Sequence, residues 1–237
     1  MIYAIVDLSH VAHFFVLLPL SVFLTALLAA EAPWLKVEPL AALPGWAQLL
    51  ILFVLTVFYA YWYHRLQHSN AYLWQFHKVH QSQRQLTGLT VFRMSILDRV
   101  VNLVALSVPA AIMGVSPAMP ATLLILLQFH QTLLHSDTGW TFGRLRHLFV
   151  SPAFHDVHHS TAAGHANRNY APVLAIWDHL FGSFSARGQD ELEFGLDKEK
   201  VPESFTRQIF VPAVGLWRQL QLDLGKGKAA APEAGAI

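Results

Sequence analysis

Long apolar runs alternate with polar, histidine-containing segments along this chain. The first run spans 10–30 and is almost unbroken, and at about 20 residues it is long enough to cross a bilayer. Further runs cover 46–64, 100–115 and 117–135, and only a short turn separates the last two. The pattern predicts an all-α integral membrane protein with about four transmembrane helices, the last two forming a tight hairpin or a re-entrant pair.

Basic residues predict the orientation of these helices. The connection between the first two runs contains one basic residue, Lys36, whereas 65–99 and 144–168 each contain several arginines. Because cytoplasmic loops carry an excess of Lys and Arg, the two arginine-containing segments are expected in the cytoplasm. Four crossings then place both termini there as well, and the protein is expected to be multi-pass.

The C-terminal part predicts a different kind of helix. Residues 205–222 have the pattern of an amphipathic helix at the membrane interface, with breaks expected at Pro212 and Gly215. The low-complexity sequence of 225–237 predicts a disordered tail. We therefore expect one membrane-embedded domain over 1–224, followed by that tail.

Composition supports a membrane protein and limits its chemistry. Charged residues make up 13% of the chain, against about 25% in soluble domains, and mean hydropathy is +0.39. The net charge of +1 gives no reason to expect nucleic acid as a partner. Without cysteine the chain forms no disulfide, thiolate zinc site, iron–sulfur cluster or thiolate-ligated haem. A bound metal would rest on carboxylates and on the 14 histidines.

Three short motifs concentrate the histidines: "YHRLQH", "FHKVHQS" and "FHDVHHS". Within each motif the spacings are three or four residues, which places the rings on one face of a helix, including all three rings of the third motif. Neutral imidazole suits iron, zinc, copper or nickel. The predicted topology brings the motifs to one cytoplasmic face, where they are expected to hold one or two metal ions. These histidines are His64, His68, His77, His80, His155, His158 and His159.

Together with "NYAPVLAIWDHLFGSF", the three motifs strongly resemble the membrane-bound fatty acid hydroxylase and sterol desaturase superfamily. The resemblance covers 46–185. It implies a non-haem di-iron centre, in which two iron ions activate dioxygen and a lipid C–H bond is hydroxylated or desaturated. It also implies that His135, at the end of the fourth run, joins the seven motif histidines as a ligand.

One position departs from the family pattern. Gln81 stands where family members usually have another histidine, at the end of the second motif. Three interpretations are open: Gln81 is itself a weak ligand, another histidine replaces it, or one iron site has fewer ligands. The candidate replacements are His130, which is expected to be structural, His165 and His179.

Three further polar residues are candidates for supporting roles. Asp156 and Asp178 either accept hydrogen bonds from metal-bound imidazoles or are, respectively, solvated and a turn cap. Asn169, in the "NY" that follows the third motif, is expected near the metal. It is expected either to contact a metal-binding residue or to act through a water molecule.

The expected partners are a lipid that enters from the bilayer and a protein that supplies electrons. No dinucleotide-binding fingerprint is present, so electrons are expected from a ferredoxin, or from a small cytochrome with its reductase. A basic face of Lys78, Arg84, Arg144 and Arg146 is a candidate docking surface for an acidic donor. The alternatives are a histidine-rich metal transporter and a non-catalytic, lipid-binding relative. Transport is disfavoured because the histidines lie at helix ends, not near the membrane midplane.

Overall fold

The described part of the chain is helical, as predicted. The computed structural model describes residues 16–188, 191–196 and 199–229, and within them it contains nine α-helices and no β-sheet. Two isolated bridges join Phe149 to Leu174 and Ser160 to Phe194. The helices are α1 Leu18–Glu31, α2 Glu38–Ala41, α3 Gly45–Ser69, α4 Ala71–Gln81, α5 Ile96–Ile112, α6 Ala118–Leu134, α7 Pro152–His159, α8 Ile176–Leu180 and α9 Phe205–Ala229.

The apolar runs form helices of unequal length. Helix α3 has 25 residues, so at 1.5 Å per residue it spans about 37 Å and exceeds the roughly 30 Å hydrocarbon core of a bilayer. Among the described residues it alone is long and apolar enough to cross a membrane. Helix α1 has 14 residues and α5 and α6 have 17 each, while residues 10–15 of the first run lie outside the described residues. Four full crossings therefore stay a prediction.

Helix α3 is the centre of the packing. It contacts α4, α5 and α6, while α1 packs on α5 and α6. The N-terminal half of α3 contributes Leu52 to an apolar cluster with Leu106 and Met113, and its C-terminal half contributes Tyr61 to a second cluster with Phe154. The second cluster lies beside the histidine motifs, so the long helix connects the apolar bundle to the histidine-rich end.

Helix α9 corrects the predicted break at Pro212 and Gly215, because it is continuous from Phe205 to Ala229. Both residues are buried on the face that packs against α4. A Cβ on Gly215 would lie 2.9 Å from the Gln75 Cδ atom, so glycine is what lets the two helices approach. The residues that resemble helix breakers form the packing face of α9. The helix includes 225–229, where the tail was expected to begin, and 230–237 lie outside the described residues.

The outer face of α9 is apolar. Phe210, Val214 and Trp217 follow helical spacing and are exposed, Trp217 by 62%. An exposed apolar stripe is typical of helices that lie in a membrane interface. The interfacial position of α9 stays a prediction.

Candidate metal centre

Eight histidines gather at the end of α3 in two groups of four. Within each group the nearest ring nitrogens all lie within 4.8 Å of one another. Group A comprises His64, His68, His77 and His158. Group B comprises His80, His135, His155 and His159. The eight residues predicted as ligands are therefore the eight that the fold brings together.

Helical spacing explains how the rings reach the groups. His64 and His68 lie four residues apart in the last two turns of α3, and both belong to group A. Helix α4 follows directly, and the side chain of Asn70 caps it by accepting hydrogen bonds from the N–H groups of Tyr72 and Leu73 at 3.0 Å. This sharp junction turns α4 back so that its own histidines face those of α3.

The second and third motifs each supply both groups, and the three neighbouring rings of the third motif divide between them. On α7, His155 and His159 are four apart and belong to group B, whereas His158 belongs to group A. On α4, His77 belongs to group A and His80 to group B. Each of these short helices lies between the groups and presents different sides to them.

The ring nitrogens are close enough to share an ion. The Nε2 atoms of His64 and His77 are 3.0 Å apart in group A. In group B the Nε2 atom of His155 lies 3.0 Å from that of His135 and 3.2 Å from that of His159. Two nitrogens bound to one metal at about 2.1 Å, with angles between right and tetrahedral, lie about 3.0–3.4 Å apart. The donor sets therefore fit a metal ion in each group.

Burial keeps these rings in the form that binds metal. It lowers the pKa of His77, His80 and His155 well below the usual value, and neighbouring histidines lower it further. The same two causes lower the pKa of His158 and His159. The rings are therefore neutral at physiological pH, and each offers a lone pair. Imidazole-only sites suit iron, zinc, copper and nickel.

Backbone carbonyls fix the rings of group A from behind. The Nδ1 atom of His64 donates to the carbonyl of Tyr170 at 2.7 Å, and that of His158 donates to the carbonyl of Arg168 at 2.9 Å. Each bond leaves Nε2 as the lone-pair nitrogen and holds the ring plane. One short segment, 167–170, therefore orients two of the four rings.

The two asparagines of that segment explain its shape. Asn167 and Asn169 both have a φ of 57°, in the left-handed region that asparagine tolerates better than most residues. The Asn169 side chain donates to the carbonyls of Phe154 at 3.0 Å and Ser185 at 2.9 Å. Asn169 thus ties the segment to α7, and its side chain makes no direct hydrogen bond to a histidine ring among the described residues. Its predicted role near the metal, behind a ligand or through water, stays a prediction.

Asp178 supports the same segment. Its buried carboxylate accepts from the N–H groups of Tyr170 and Ala171 at 2.8 Å each and from the Ser183 hydroxyl at 2.7 Å. It therefore caps a turn, as one of the two interpretations stated. Because the carbonyl of Tyr170 holds His64, Asp178 also positions a candidate ligand through the backbone.

Asp156 is buried, which contradicts the interpretation that it is solvated. Among the described residues, no imidazole donates a hydrogen bond to its carboxylate. It pairs with Arg187 at 2.5 Å. Burial raises the pKa of Asp156 to about 6, and the Arg187 guanidinium opposes that rise. The pair anchors the segment near Arg187 to α7.

Group B is held differently. The Nδ1 atom of His135 donates to the carbonyl of Gln131, one turn back in α6, at 2.7 Å. The Nδ1 atoms of His155 and His159 are buried and have no hydrogen-bond partner among the described residues. These rings are positioned by helix packing, not by polar contacts.

Gln81 lies inside group A. It is four residues after His77 on α4, and its side-chain nitrogen is 3.3 Å from the Nε2 atom of His77 and in direct contact with that of His158. The candidate replacement histidines are elsewhere in the described structure. His165 is half-buried beside the Ser160 hydroxyl at 3.1 Å, His179 is exposed and packs on Phe184 with ring centroids 4.2 Å apart, and His130 belongs to neither group.

Lys78 corrects the expected basic docking face. It is buried and pairs with Glu199 at 2.7 Å, so it is not part of an exposed surface. Arg84, Arg144 and Arg146 are exposed.

Sequence reasoning missed a third buried carboxylate, beside Asp156 and Asp178. Asp98 on α5 accepts from the hydroxyls of Tyr63 at 2.8 Å and Ser95 at 2.9 Å and from the Gln67 amide at 2.5 Å. Tyr63 and Gln67 directly precede His64 and His68, so these bonds fix the rotation of α3 about its axis. An acidic residue at the start of an otherwise apolar helix was the available signal.

Comparisons with known proteins agree with the histidine motifs. Residues 49–183 match the family described as fatty acid hydroxylase. Alkylglycerol monooxygenase of Homo sapiens is 31% identical over 136 residues, 57% of this chain and 30% of that protein. Ornithine lipid hydroxylase OlsE of Rhizobium tropici is 31% identical over 139 residues, 58% of this chain and 41% of that protein.

Methylsterol monooxygenase 1-3 of Arabidopsis thaliana is 26% identical over 143 residues, 58% of this chain and 47% of that protein. The chain thus spans less than half the length of each of these three relatives. No solved structure matches the chain.

Proposed function

The chain belongs to the fatty acid hydroxylase family, and on that premise we propose that it is a membrane-bound di-iron oxygenase that hydroxylates a lipid with dioxygen. The observation that carries the proposal is the pair of buried four-histidine groups, whose facing ring nitrogens lie 3.0–3.2 Å apart in both groups. The names of the three relatives, two monooxygenases and one lipid hydroxylase, favour hydroxylation over desaturation.

Iron is the metal that gives this donor set an oxygenase function. Ferrous iron held by these neutral imidazoles would supply electrons to dioxygen; with two electrons from the external donor and two protons, one oxygen atom would enter a lipid C–H bond and the other would leave as water. The chain's residues hold the metal and keep water away. The rings of His155 and His159 are almost fully buried, and the carbonyls of Arg168 and Tyr170 keep two further rings in place.

The lipid substrate is proposed to arrive from the bilayer. Helix α3 exposes large apolar side chains, including Leu55, Phe58 and Trp62, and its last two turns carry His64 and His68. If α3 crosses the membrane, its apolar surface lies in hydrocarbon and its histidines lie just beyond the aromatic residues typical of the interface. The metal centre then lies where a lipid carbon is accessible.

Electrons are proposed to come from a separate acidic protein, a ferredoxin or a small cytochrome with its reductase. Between 138 and 188 the exposed charged residues are arginines, whereas Asp156 and Asp178 are buried. This segment includes α7 and residues 167–170, whose carbonyls hold two rings of group A. An acidic donor attracted to it would therefore lie close to the metal centre.

Metal analysis and oxygen transfer test the proposal together. Detergent-purified protein, reconstituted anaerobically with ferrous iron, is expected to hold two irons per chain. With bilayer lipids, a ferredoxin and its reductase, and isotopically labelled dioxygen, it is expected to produce a lipid with one labelled oxygen. The double variant His64→Asn, His135→Asn is the control that loses a ligand from each group.

Two other results would replace the proposal. Tight binding of zinc but not iron, without labelled product, supports the metal transporter. Absence of bound metal, together with retention of lipid, supports a non-catalytic lipid-binding relative.

The proposed multi-pass topology, with both termini and the metal centre in the cytoplasm, has a direct test because the chain has no cysteine. Ala163→Cys lies in the exposed loop after α7, and Glu38→Cys lies in the exposed connection before α3. In sealed cells, a membrane-impermeant maleimide is expected to label Glu38→Cys and to reach Ala163→Cys only after lysis. Labelling of both from the same side would contradict the proposed crossing by α3.

A further inference from the structure

Gln81 is a polar side chain inside group A whose role the proposed function leaves open. It is 4% exposed, and its amide nitrogen contacts the Nε2 atoms of His77 and His158. Among the described residues, no side-chain amide hydrogen-bonds a ring nitrogen of group B. The two groups therefore differ in what surrounds their ring nitrogens before any metal binds.

The nitrogens that Gln81 contacts include one that must carry a lone pair. The Nδ1 atom of His158 donates its proton to the carbonyl of Arg168, so its Nε2 atom is the acceptor in the neutral ring. A glutamine amide has two N–H donors. Gln81 therefore gives the facing rings of group A a hydrogen-bond donor when no metal is present.

Group B lacks such a donor. The Nδ1 atom of His135 donates to the carbonyl of Gln131, so its Nε2 atom also carries a lone pair, and His155 Nε2 faces it at 3.0 Å. If His155 donates from Nε2, its own Nδ1 atom becomes a buried acceptor without a donor; if it does not, two lone pairs face each other. Either arrangement leaves a buried polar atom unsatisfied, which costs free energy in the metal-free protein.

A cation relieves such a cost in both groups, since the Nδ1 atom of His77 is also buried without a partner, but in group A it must first displace the Gln81 hydrogen bond to His158. We propose that metal fills group B before group A, because the Gln81 amide occupies the lone pair of His158 in the metal-free protein. The inference rests on the proposed function, since it requires that both groups bind metal. It adds an order of loading and the residue that sets it.

Titration of the metal-free protein tests the order. Detergent-purified, chelator-treated protein is titrated anaerobically with Co²⁺, whose visible spectrum reports imidazole coordination, and bound cobalt is counted by elemental analysis. Wild type is expected to bind two cobalt ions in two resolved steps. His135→Asn, in group B, is expected to remove the tighter step, and His68→Asn, in group A, the weaker one.

The role of Gln81 is tested by removing its amide. Gln81→Leu and Gln81→Met, the second keeping an unbranched side chain, are expected to tighten the weaker step about tenfold, which is the size of effect seen for residues that contact metal ligands. Gln85→Leu is the matched control, because Gln85 follows on the same segment but is exposed. Circular dichroism and the melting temperature establish that each variant folds.

The outcomes separate the inference from the proposed function. A weaker second step in both Gln81 variants would overturn the inference and make Gln81 a ligand. Two equal steps in wild type, or loss of the tighter step in His68→Asn, would also overturn it. Absence of cobalt binding in wild type would instead contradict the proposed function.

Discussion

Groups A and B use the same side chain and lie side by side, yet the fold holds them in place in different ways. In group A, the rings of His64 and His158 donate to backbone carbonyls of 167–170, a segment that Asp178 holds from behind, while the Nδ1 atom of His77 has no partner among the described residues. In group B, His135 is bonded to its own helix, and His155 and His159 have unpartnered Nδ1 atoms. Group A therefore depends on one loop, whereas group B depends on the packing of α4, α6 and α7.

This difference has a physical origin in the elements that carry the rings. His135, His155 and His159 sit on or directly after helices that pack against each other, and α6 contacts α7. His64 and His68 sit in the last two turns of α3, next to the loop that follows α7, whose Tyr170 carbonyl lies behind His64. A ring at such an end needs polar bonds to hold its plane, and the loop after α7 supplies them.

The largest expected effect comes from two adjacent residues that belong to different groups. His158→Asn is expected to remove the metal of group A, and His159→Asn that of group B, while the other group keeps its ion. Both should lower hydroxylation by more than about a hundredfold, because even residues behind metal ligands cost 10–100-fold. Elemental analysis of the purified variants, together with labelled-oxygen transfer, measures both effects.

His179→Asn is the matched control for this pair, since His179 is exposed and outside both groups. It should keep both metal ions. Loss of all metal in both His158→Asn and His159→Asn would show that the groups bind as one unit, and the comparison would fail.

A smaller effect, confined to one group, is expected from Asp178→Asn. The amide cannot accept both backbone N–H bonds that the buried carboxylate accepts, so the free energy of unfolding should fall by about 2–3 kcal/mol. The carbonyl of Tyr170 then loses its fixed position behind His64, and the affinity of group A should fall about tenfold. Chemical denaturation and cobalt titration are the measurements.

Asp137→Asn provides the comparison for that variant, because Asp137 is an exposed carboxylate next to His135 of group B. It should change neither stability nor either affinity measurably. If Asp178→Asn lowered the metal affinity of both groups equally, the carboxylate would stabilise the whole histidine-rich end of the molecule and not group A in particular.

The same contrast separates what the sequence could predict from what it could not. The i, i+4 spacing of His64 and His68 placed both rings on one side of α3, the predicted topology brought the seven motif histidines to one face, and the family resemblance added His135. The assignment of His158 to one group and His159 to the other depends on how α7 is rotated about its axis. The spacing of residues along a short helix does not predict that rotation.

The backbone groups that hold the histidine rings could not be predicted from the sequence, for a different reason. The carbonyls of Arg168 and Tyr170 orient two rings, but a carbonyl carries no signature in the side-chain sequence. The same is true of α9, in which Pro212 and Gly215 predict a break when taken alone. Only the close approach of α4 shows that they form a packing face.

The smallest expected effect concerns the ion pair of Lys78, the residue of α4 that lies in sequence between a histidine of group A and one of group B. Lys78 lies on α4 between His77 of group A and His80 of group B, and it pairs with Glu199 at 2.7 Å. The Glu199 side chain is 45% exposed, so solvent screens the pair and Glu199→Gln should lower the free energy of unfolding by no more than about 1 kcal/mol. Because this charge supports neither a ring nor the loop, both cobalt affinities should stay within about twofold of wild type. Chemical denaturation and cobalt titration of Glu199→Gln, carried out beside Asp178→Asn, are the measurements. If Glu199→Gln weakens metal binding in both groups as strongly as Asp178→Asn weakens it in group A, then the position of α4 holds both groups. In that case the loop is not what distinguishes them.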